Sequence, residues 1–277
     1  MYYIKPFDPW KSELCTCPPK YSFNPYTGCA HNCIYCYATY IPKFHQLRLK
    51  KLLFSRLEKD LNNLPSNSLI SMSNSSDPYP PSEKHLNVTR RCLEIMKDYD
   101  IRLLIVTKSD IVARDVDILS EMRCAVSITV TCISKDLAKK LEPGAPDPQS
   151  RINALKYIKE HGIPVILRLD PIIPFLTEKE AIKVLEKCDF VDHVVTSTLK
   201  LKKNMLNRFA KFPELVNKFK KIYVERVRGY LYLLKDYRFK LLEPIKEACE
   251  EVGISVSFCR ESFKFNAESC DGSHLIK

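Results

Sequence analysis

Short β-branched runs alternate with longer amphipathic stretches along this chain, the rhythm of strands followed by helices. Strands are expected near 21–24, 68–72, 102–106, 124–130, 163–169 and 192–196, and helices near 38–61, 83–98, 112–121, 150–161 and 177–187. The fourth helical pattern runs into His161-Gly162-Ile163-Pro164, a stop signal. Six βα-type units in series predict an α/β fold whose parallel sheet is curled by right-handed crossovers into a partial (βα)6 TIM-type barrel. Ligands then belong to the loops at the carboxyl ends of the strands, 25–36, 73–82, 107–110, 131–149 and 170–176, which hold most of the Cys, Pro, Asn and Asp. Residues 1–20 read as an N-terminal leader, 21–198 as the barrel, and 199–277 as a basic, aromatic C-terminal extension with a candidate strand at 254–258.

The 277 residues include no apolar run near the roughly 20 residues a membrane span needs, and no charged-then-apolar signal segment. A cytoplasmic protein with no membrane partner is expected. Twelve cysteines in such a chain argue against a disulfide scaffold and for metal binding by some of them. The formal charge of +11 favours a polyanionic partner, and its placement is more telling than its size. Lys200 to Lys240 carries 13 Lys or Arg against Glu214, Glu225 and Asp236, so ten of the eleven excess charges lie in this stretch.

The first strand leads into Asn24-Pro25-Tyr26-Thr27-Gly28-Cys29-Ala30-His31-Asn32-Cys33-Ile34-Tyr35-Cys36-Tyr37. Cys29, Cys33 and Cys36, spaced C-x3-C-x2-C, suit three irons of a [4Fe–4S] cubane and leave the fourth iron open. An open iron can chelate the amino and carboxylate groups of S-adenosylmethionine (SAM). The competing reading is a structural zinc held by the three thiolates and His31.

On these residues the chain resembles the radical SAM superfamily, whose loop carries an aromatic before the third cysteine, here Tyr35. The resemblance implies reductive cleavage of SAM to a 5′-deoxyadenosyl radical, fed by an electron donor such as ferredoxin or flavodoxin. It also implies that Tyr35 meets the adenine by stacking and hydrogen bonding, although Tyr35 and Tyr37 also suit plain core positions. Ser75-Ser76-Asp77, Val106-Thr107-Lys108, Ser127, Glu142-Pro143-Gly144 and Arg151 look like the spore photoproduct lyase branch and its uncharacterised relatives. By that resemblance Asn74, Ser75 and Ser76 contact the methionyl amino group or ribose of SAM, Lys108 its carboxylate, and Ser127 the ribose or carboxylate. Arg168, ending the fifth strand before Asp170-Pro171, is a further candidate ligand group, with an internal ion pair as the alternative for both Lys108 and Arg168. The lyase carries a hydrogen-donating cysteine where this chain has Asn74, so its reaction is not carried over.

Cys15 and Cys17 precede the barrel and Cys259 and Cys270 follow it. A barrel brings its ends together, so these four are a candidate second metal site, for a cluster or zinc. Cys92, Cys124, Cys132, Cys188 and Cys249 sit in regular patterns and read as buried, inert thiols.

In 199–240 the charges interleave with Phe209, Phe212, Phe219, Tyr223, Tyr230, Tyr232, Tyr237 and Phe239, a composition that suits DNA or RNA. An amphipathic helical region with core aromatics explains the same spacing. The expected function is SAM-dependent radical chemistry on a macromolecule, with nucleic acid first, a peptide or protein second, and a non-catalytic metal module that binds nucleic acid third.

Overall fold

The computed structural model describes residues 2–7, 13–265 and 267–277, with the side chains of Lys203 and Asn204 outside the described residues. Part of the leader 1–20 therefore lies outside them too.

Seven parallel strands form one sheet in the order β1 (Tyr21–Phe23), β2 (Ser68–Met72), β3 (Ile101–Thr107), β4 (Cys124–Thr129), β5 (Val165–Ile172), β6 (His193–Thr198) and β9 (Ser255–Phe258). Lys5–Pro6 adds an antiparallel segment on β1. The expected partial barrel is present as an open sheet. Its seventh parallel strand comes from the C-terminal region, where β9 pairs with β6 from Ser255↔His193 to Phe258↔Thr196.

Side chains alternate across each strand, so one face of the sheet meets the helices and the other lines the interior. Ile70, Met72, Leu103, Ile105, Val126, Ile128, Leu167 and Leu169 join the helix-side core. Leu69, Leu104, Ala125, Ile166 and Val195 pack inward against Ile276, so the chain's tail fills the amino end of the barrel. Towards the carboxyl edge the inward positions become Ser71, Lys108, Ser127, Arg168, Asp170 and Ser197.

The helices depart from expectation in three places. Only Leu53–Leu61 of the expected 38–61 is α-helical. Pro42 cannot donate a helical hydrogen bond, Lys43 has φ 54°, and the chain turns back so that Cys29 N donates to Phe44 O at 2.7 Å. The 83–98 pattern divides at Asn87 (φ 51°) into Glu83–Leu86 and Val88–Met96, and buried Glu83 accepts from Val88 N and Thr89 N at the second helix's start. The 112–121 pattern is a 3₁₀ turn at Asp110–Asp115 followed by one α-turn, Val116–Leu119. The other two helices form at Pro148–Glu160 and Glu178–Lys187, and loop 131–149 also contains helix Lys135–Leu141.

Beyond the barrel, helix Pro213–Ile222, hairpin β7 (Tyr223–Val227) and β8 (Tyr230–Leu233), and helix Lys235–Glu251 precede β9. Phe209, Phe219, Tyr223 and Leu233 pack with Cys33, Tyr35 and Ile173, making a second core over the cysteine loop. Five of the eight aromatics of 199–240 (Phe209, Phe219, Tyr223, Tyr230 and Tyr232) are buried, as the amphipathic alternative foresaw, and Phe239 is exposed. Among the described residues no helix is long and apolar enough to cross a membrane.

Gly272 tests the tail's role as a plug. Its φ is +81°, and a Cβ there would come 2.5 Å from Ile166 Cδ1. Gly272→Ala should lower unfolding stability by about 1–3 kcal/mol, read from the urea midpoint.

Candidate active site

The carboxyl edge of the sheet opens into a cavity of about 300 Å³. Cys29, Cys33, Cys36, Tyr35, Asn74, Ser75, Ser76, Lys108 and Arg168 all line it. Ser127 does not. It lies deeper in the barrel, fully buried, and its hydroxyl has no hydrogen-bond partner among the described residues.

The cysteine loop is held from below. Ile34 N donates to Leu141 O and Gly144 N to His31 O, both at 2.9 Å. Gly144 is required by that approach, because a Cβ would stand 2.2 Å from Ala30 O. Buried Glu142 accepts from Tyr35 OH, from Thr131 Oγ1 at 3.2 Å and from Arg151 Nη1 at 2.5 Å. Arg151 also donates to Thr129 O and Pro146 O, which satisfies a guanidinium only 1% exposed. The segment Glu142-Pro143-Gly144 with Arg151 is thus a platform for the loop. From above, Arg208 donates to Cys33 O at 2.7 Å and Cys36 O at 3.2 Å. Nothing in the local sequence marks Arg208 for this.

Tyr35 gives its hydroxyl to Glu142, which leaves the ring, rather than the hydroxyl, to meet a ligand. Lys108 Nζ lies 5.5 Å from that ring's centroid. Lys108 makes no ion pair or hydrogen bond through its ammonium among the described residues, so the internal-pair alternative does not describe it. Arg168 does pair internally, with Asp170 Oδ2 at 3.3 Å, while its Nε has no partner among the described residues.

The Asn74 amide donates to Ser22 Oγ at 2.8 Å and Ser71 O at 3.1 Å. Ser75 N donates to Asn24 Oδ1 at 3.3 Å, and Ser76 is buried. Asp77, which the motif contained but no role was given, fastens three loops. It accepts from Thr107 Oγ1 (2.6 Å), Lys108 N (2.8 Å) and Tyr79 N (2.9 Å), and it lies 3.3 Å from His31 Nδ1.

Burial drives the loop thiols upward, to about 11 for Cys29, well above the usual range for Cys33, and upward for Cys36. Metal binding here therefore displaces protons. Among the described residues no three Cys, His, Asp or Glu side chains are grouped for a single ion. His31 Nδ1 lies 3.3 Å from Asp77 and its Nε2 has no partner among the described residues, so the loop brings three thiols, the donor set of a cubane with one open iron, to the cavity with the His31 ring beside them.

The sequence profile of the radical SAM superfamily matches residues 23–188, more than half of the chain. The chain belongs to the radical SAM superfamily. It is an enzyme of that superfamily, whose resident group is an iron–sulfur cluster and whose cosubstrate is SAM. An uncharacterized protein of Methanocaldococcus jannaschii is 36% identical over 185 residues, covering 64% of this chain and 68% of that protein. An uncharacterized protein of Acidianus two-tailed virus is 28% identical over 56% of this chain and 57% of its own length. Against that viral relative the chain spans little more than half of the other protein.

Two solved folds are similar. Spore photoproduct lyase complexed with dinucleoside spore photoproduct aligns with a TM-score of 0.69 at 17% identity, over 92% of this chain and 79% of that one. Streptococcus suis SuiB bound to precursor peptide SuiA aligns at 0.58 and 15% identity, over 86% of this chain and 47% of that one. Both likenesses are of fold.

All four outlying cysteines, Cys15, Cys17, Cys259 and Cys270, line the same cavity, and Cys270 Sγ donates to Cys17 Sγ at 3.3 Å. The five cysteines expected to be inert, Cys92, Cys124, Cys132, Cys188 and Cys249, are buried.

Asp77 yields a pH prediction. Burial alone would raise its carboxyl, but the His31 ring and the donors from Thr107 and Tyr79 overcome this and hold it at about 2. A carboxyl depressed from an unfolded value near 3.9 stabilises the fold above that pH and loses the contribution as pH falls towards 2, about 2–3 kcal/mol in all. Asp77→Asn should flatten the stability curve between about pH 4 and pH 2 relative to the parent, measured by urea unfolding.

Proposed function

We propose that this radical SAM enzyme binds its [4Fe–4S] cluster through Cys29, Cys33 and Cys36 and acts on a macromolecule, nucleic acid first. The observation that supports the cofactor assignment is the meeting, in one cavity, of the three loop thiols with the ammonium of Lys108, which has no ion pair or hydrogen bond among the described residues. When bound, the cluster supplies the electron that splits SAM into methionine and the 5′-deoxyadenosyl radical.

This chain's own residues divide the remaining work. Lys108 attracts the SAM carboxylate through a charge-assisted contact. The Tyr35 ring, fixed through its hydroxyl, offers a flat apolar face to the adenine. Ser75 and Ser76 follow the second strand where the amino group or ribose lies, and Asn74 frames them from the first and second strands. Arg168 lines the cavity, and Ser127 lies beneath it. The thiols Cys15, Cys17, Cys259 and Cys270 enter the reading as a second metal centre, cluster or zinc. Residues 21–198 form the unit that carries the SAM chemistry, flanked by 1–20 and 199–277, and the electron comes from a carrier such as ferredoxin or flavodoxin.

The charge of Lys200 to Lys240 supports a polyanionic substrate. Lys211, Lys218, Lys220, Lys221, Arg226, Arg228, Lys235 and Lys240 are exposed there, beside Tyr230 in the cavity wall. With most aromatics in the core, charge rather than base stacking supplies the affinity in this reading.

Two outcomes check it. Replacing Cys29, Cys33 or Cys36 by Ala should abolish release of 5′-deoxyadenosine under anaerobic reduction, whereas Lys108→Met should retain the iron and weaken SAM binding about 10- to 100-fold. For the substrate, affinity for single-stranded oligonucleotides should fall steeply with salt. Reversing Lys211, Lys220 and Lys221 to Glu should flatten the log–log slope by about 2 or more. An unaltered slope moves the proposal to a peptide or protein substrate.

A further inference from the structure

We propose that the charge of Arg208 sets the reduction potential of the cysteine loop's iron–sulfur cluster, holding it higher than the loop alone would. This rests on the reading that Cys29, Cys33 and Cys36 carry that cluster, and it is independent of the substrate.

Arg208 belongs to the 3₁₀ segment Lys203–Phe209, beyond the superfamily's matched span of residues 23–188. Its neighbours anchor it. Met205 and Phe209 are 1% and 0% exposed, and the Phe209 ring meets Phe219 edge-on with 5.4 Å between centroids. Met205 N donates to Lys202 O and Phe212 N to Phe209 O, both at 2.8 Å, closing a turn on either side. From this mount the guanidinium donates to Cys33 O at 2.7 Å and Cys36 O at 3.2 Å, residues 175 and 172 positions away.

The other buried cations near the loop have carboxylates of their own: Arg151 has Glu142, Arg168 has Asp170 and Lys200 has Glu261. Arg208 has no carboxylate partner among the described residues. A cation partly removed from water needs a compensating anion. The anions within its electrostatic reach are the thiolates of Cys36 and Cys33.

Reduction adds an electron to a group that three thiolates already make anionic, and a fixed cation beside those thiolates favours the reduced form. Lys108 also faces Cys33 and Cys36, but in this reading the SAM carboxylate neutralises it. Arg208 does not line the cavity, so its charge persists when SAM is bound. The consequence is a balance. A raised potential lets an electron carrier load the enzyme more readily, and it leaves less driving force for passing the electron on to the SAM sulfonium.

The test is a redox titration of the full chain, reconstituted without oxygen with iron and sulfide. The paramagnetic signal of the reduced loop cluster is followed, assigned by its absence from Cys29→Ala protein. Arg208→Gln keeps hydrogen-bond donors and removes the charge. It should lower the midpoint by about 59 mV, a tenfold fall in the reduced-to-oxidised ratio at a fixed potential, with iron content and circular dichroism unchanged. Arg208→Lys restores the charge and should bring the midpoint back towards that of the parent. An unchanged midpoint in Arg208→Gln, or a midpoint in Arg208→Lys as low as in Arg208→Gln, overturns the proposal. If Arg208→Gln does not hold iron, His45→Glu carries the test, since His45 is exposed and within electrostatic reach of Arg208. Its carboxylate should lower the midpoint at low salt and less at high salt. A midpoint equal to the parent's at low salt overturns the proposal. A parent that holds no loop cluster overturns the cofactor reading and this proposal with it, whereas an unchanged midpoint on full iron overturns only the role of Arg208.

Discussion

The carboxylate of Glu142 is the point on which the reactive end of this barrel depends. It is 1% exposed, and burying an anion costs several kcal/mol unless its partners are close and well aimed. Arg151, Thr131 and Tyr35 supply those partners from a helix, a strand-end loop and the cysteine loop. Because the carboxylate must stay paired, the three segments must stay together. The demand of Glu142 for donors thereby becomes the rigidity of a loop carrying three thiols, and it fixes the Tyr35 ring at the cavity wall.

The barrel's interior runs from apolar to charged along its axis. Leu69, Leu104, Ala125, Ile166 and Val195 close one end against Ile276, while Lys108, Arg168 and Asp170 occupy the other. Parallel strands permit this gradient because inward positions recur every second residue and neighbouring strands are in register. The charged groups are thereby gathered at the open end, where the ammonium of Lys108 has no ion pair or hydrogen bond among the described residues.

The sheet was legible because its strands are buried on both faces and read as compact β-branched runs. Residues 68–72 coincide with the observed strand, and the other five expected strands lie within three residues at either end. The three thiols were legible because a cubane's ligands lie close together in sequence. The excursion through 41–49 was not: Phe54, Leu57 and Leu61 give a helical period that the eye extends backwards past Pro42. Asp77 and Glu142 were visible as motif residues, but their partners Thr107, His31, Tyr35 and Thr131 lie between 11 and 107 residues away, and spacing carries no sign of such bonds. The aromatics of 199–240 could serve a surface or a core, and only the packing of Phe209 and Phe219 against each other and near Cys33 decides for the core.

The two ends of the chain complete the site that its middle begins. β9 extends the sheet beside β6, the tail enters the barrel, and Lys20 meets Asp271, so the wall bearing Cys17, Cys259 and Cys270 forms only once the first and last segments have docked. The cysteine loop by contrast takes its polar supports from Glu142, Gly144 and Arg151, within the superfamily's matched span, while Arg208 and the core around Phe209 and Phe219 cover it from beyond. One wall of the cavity is therefore built by the common barrel and the opposite wall by the flanks. Chemistry that depends on the loop is shared with the superfamily, whereas whatever distinguishes this enzyme's reaction must be carried mostly by the wall its own termini supply.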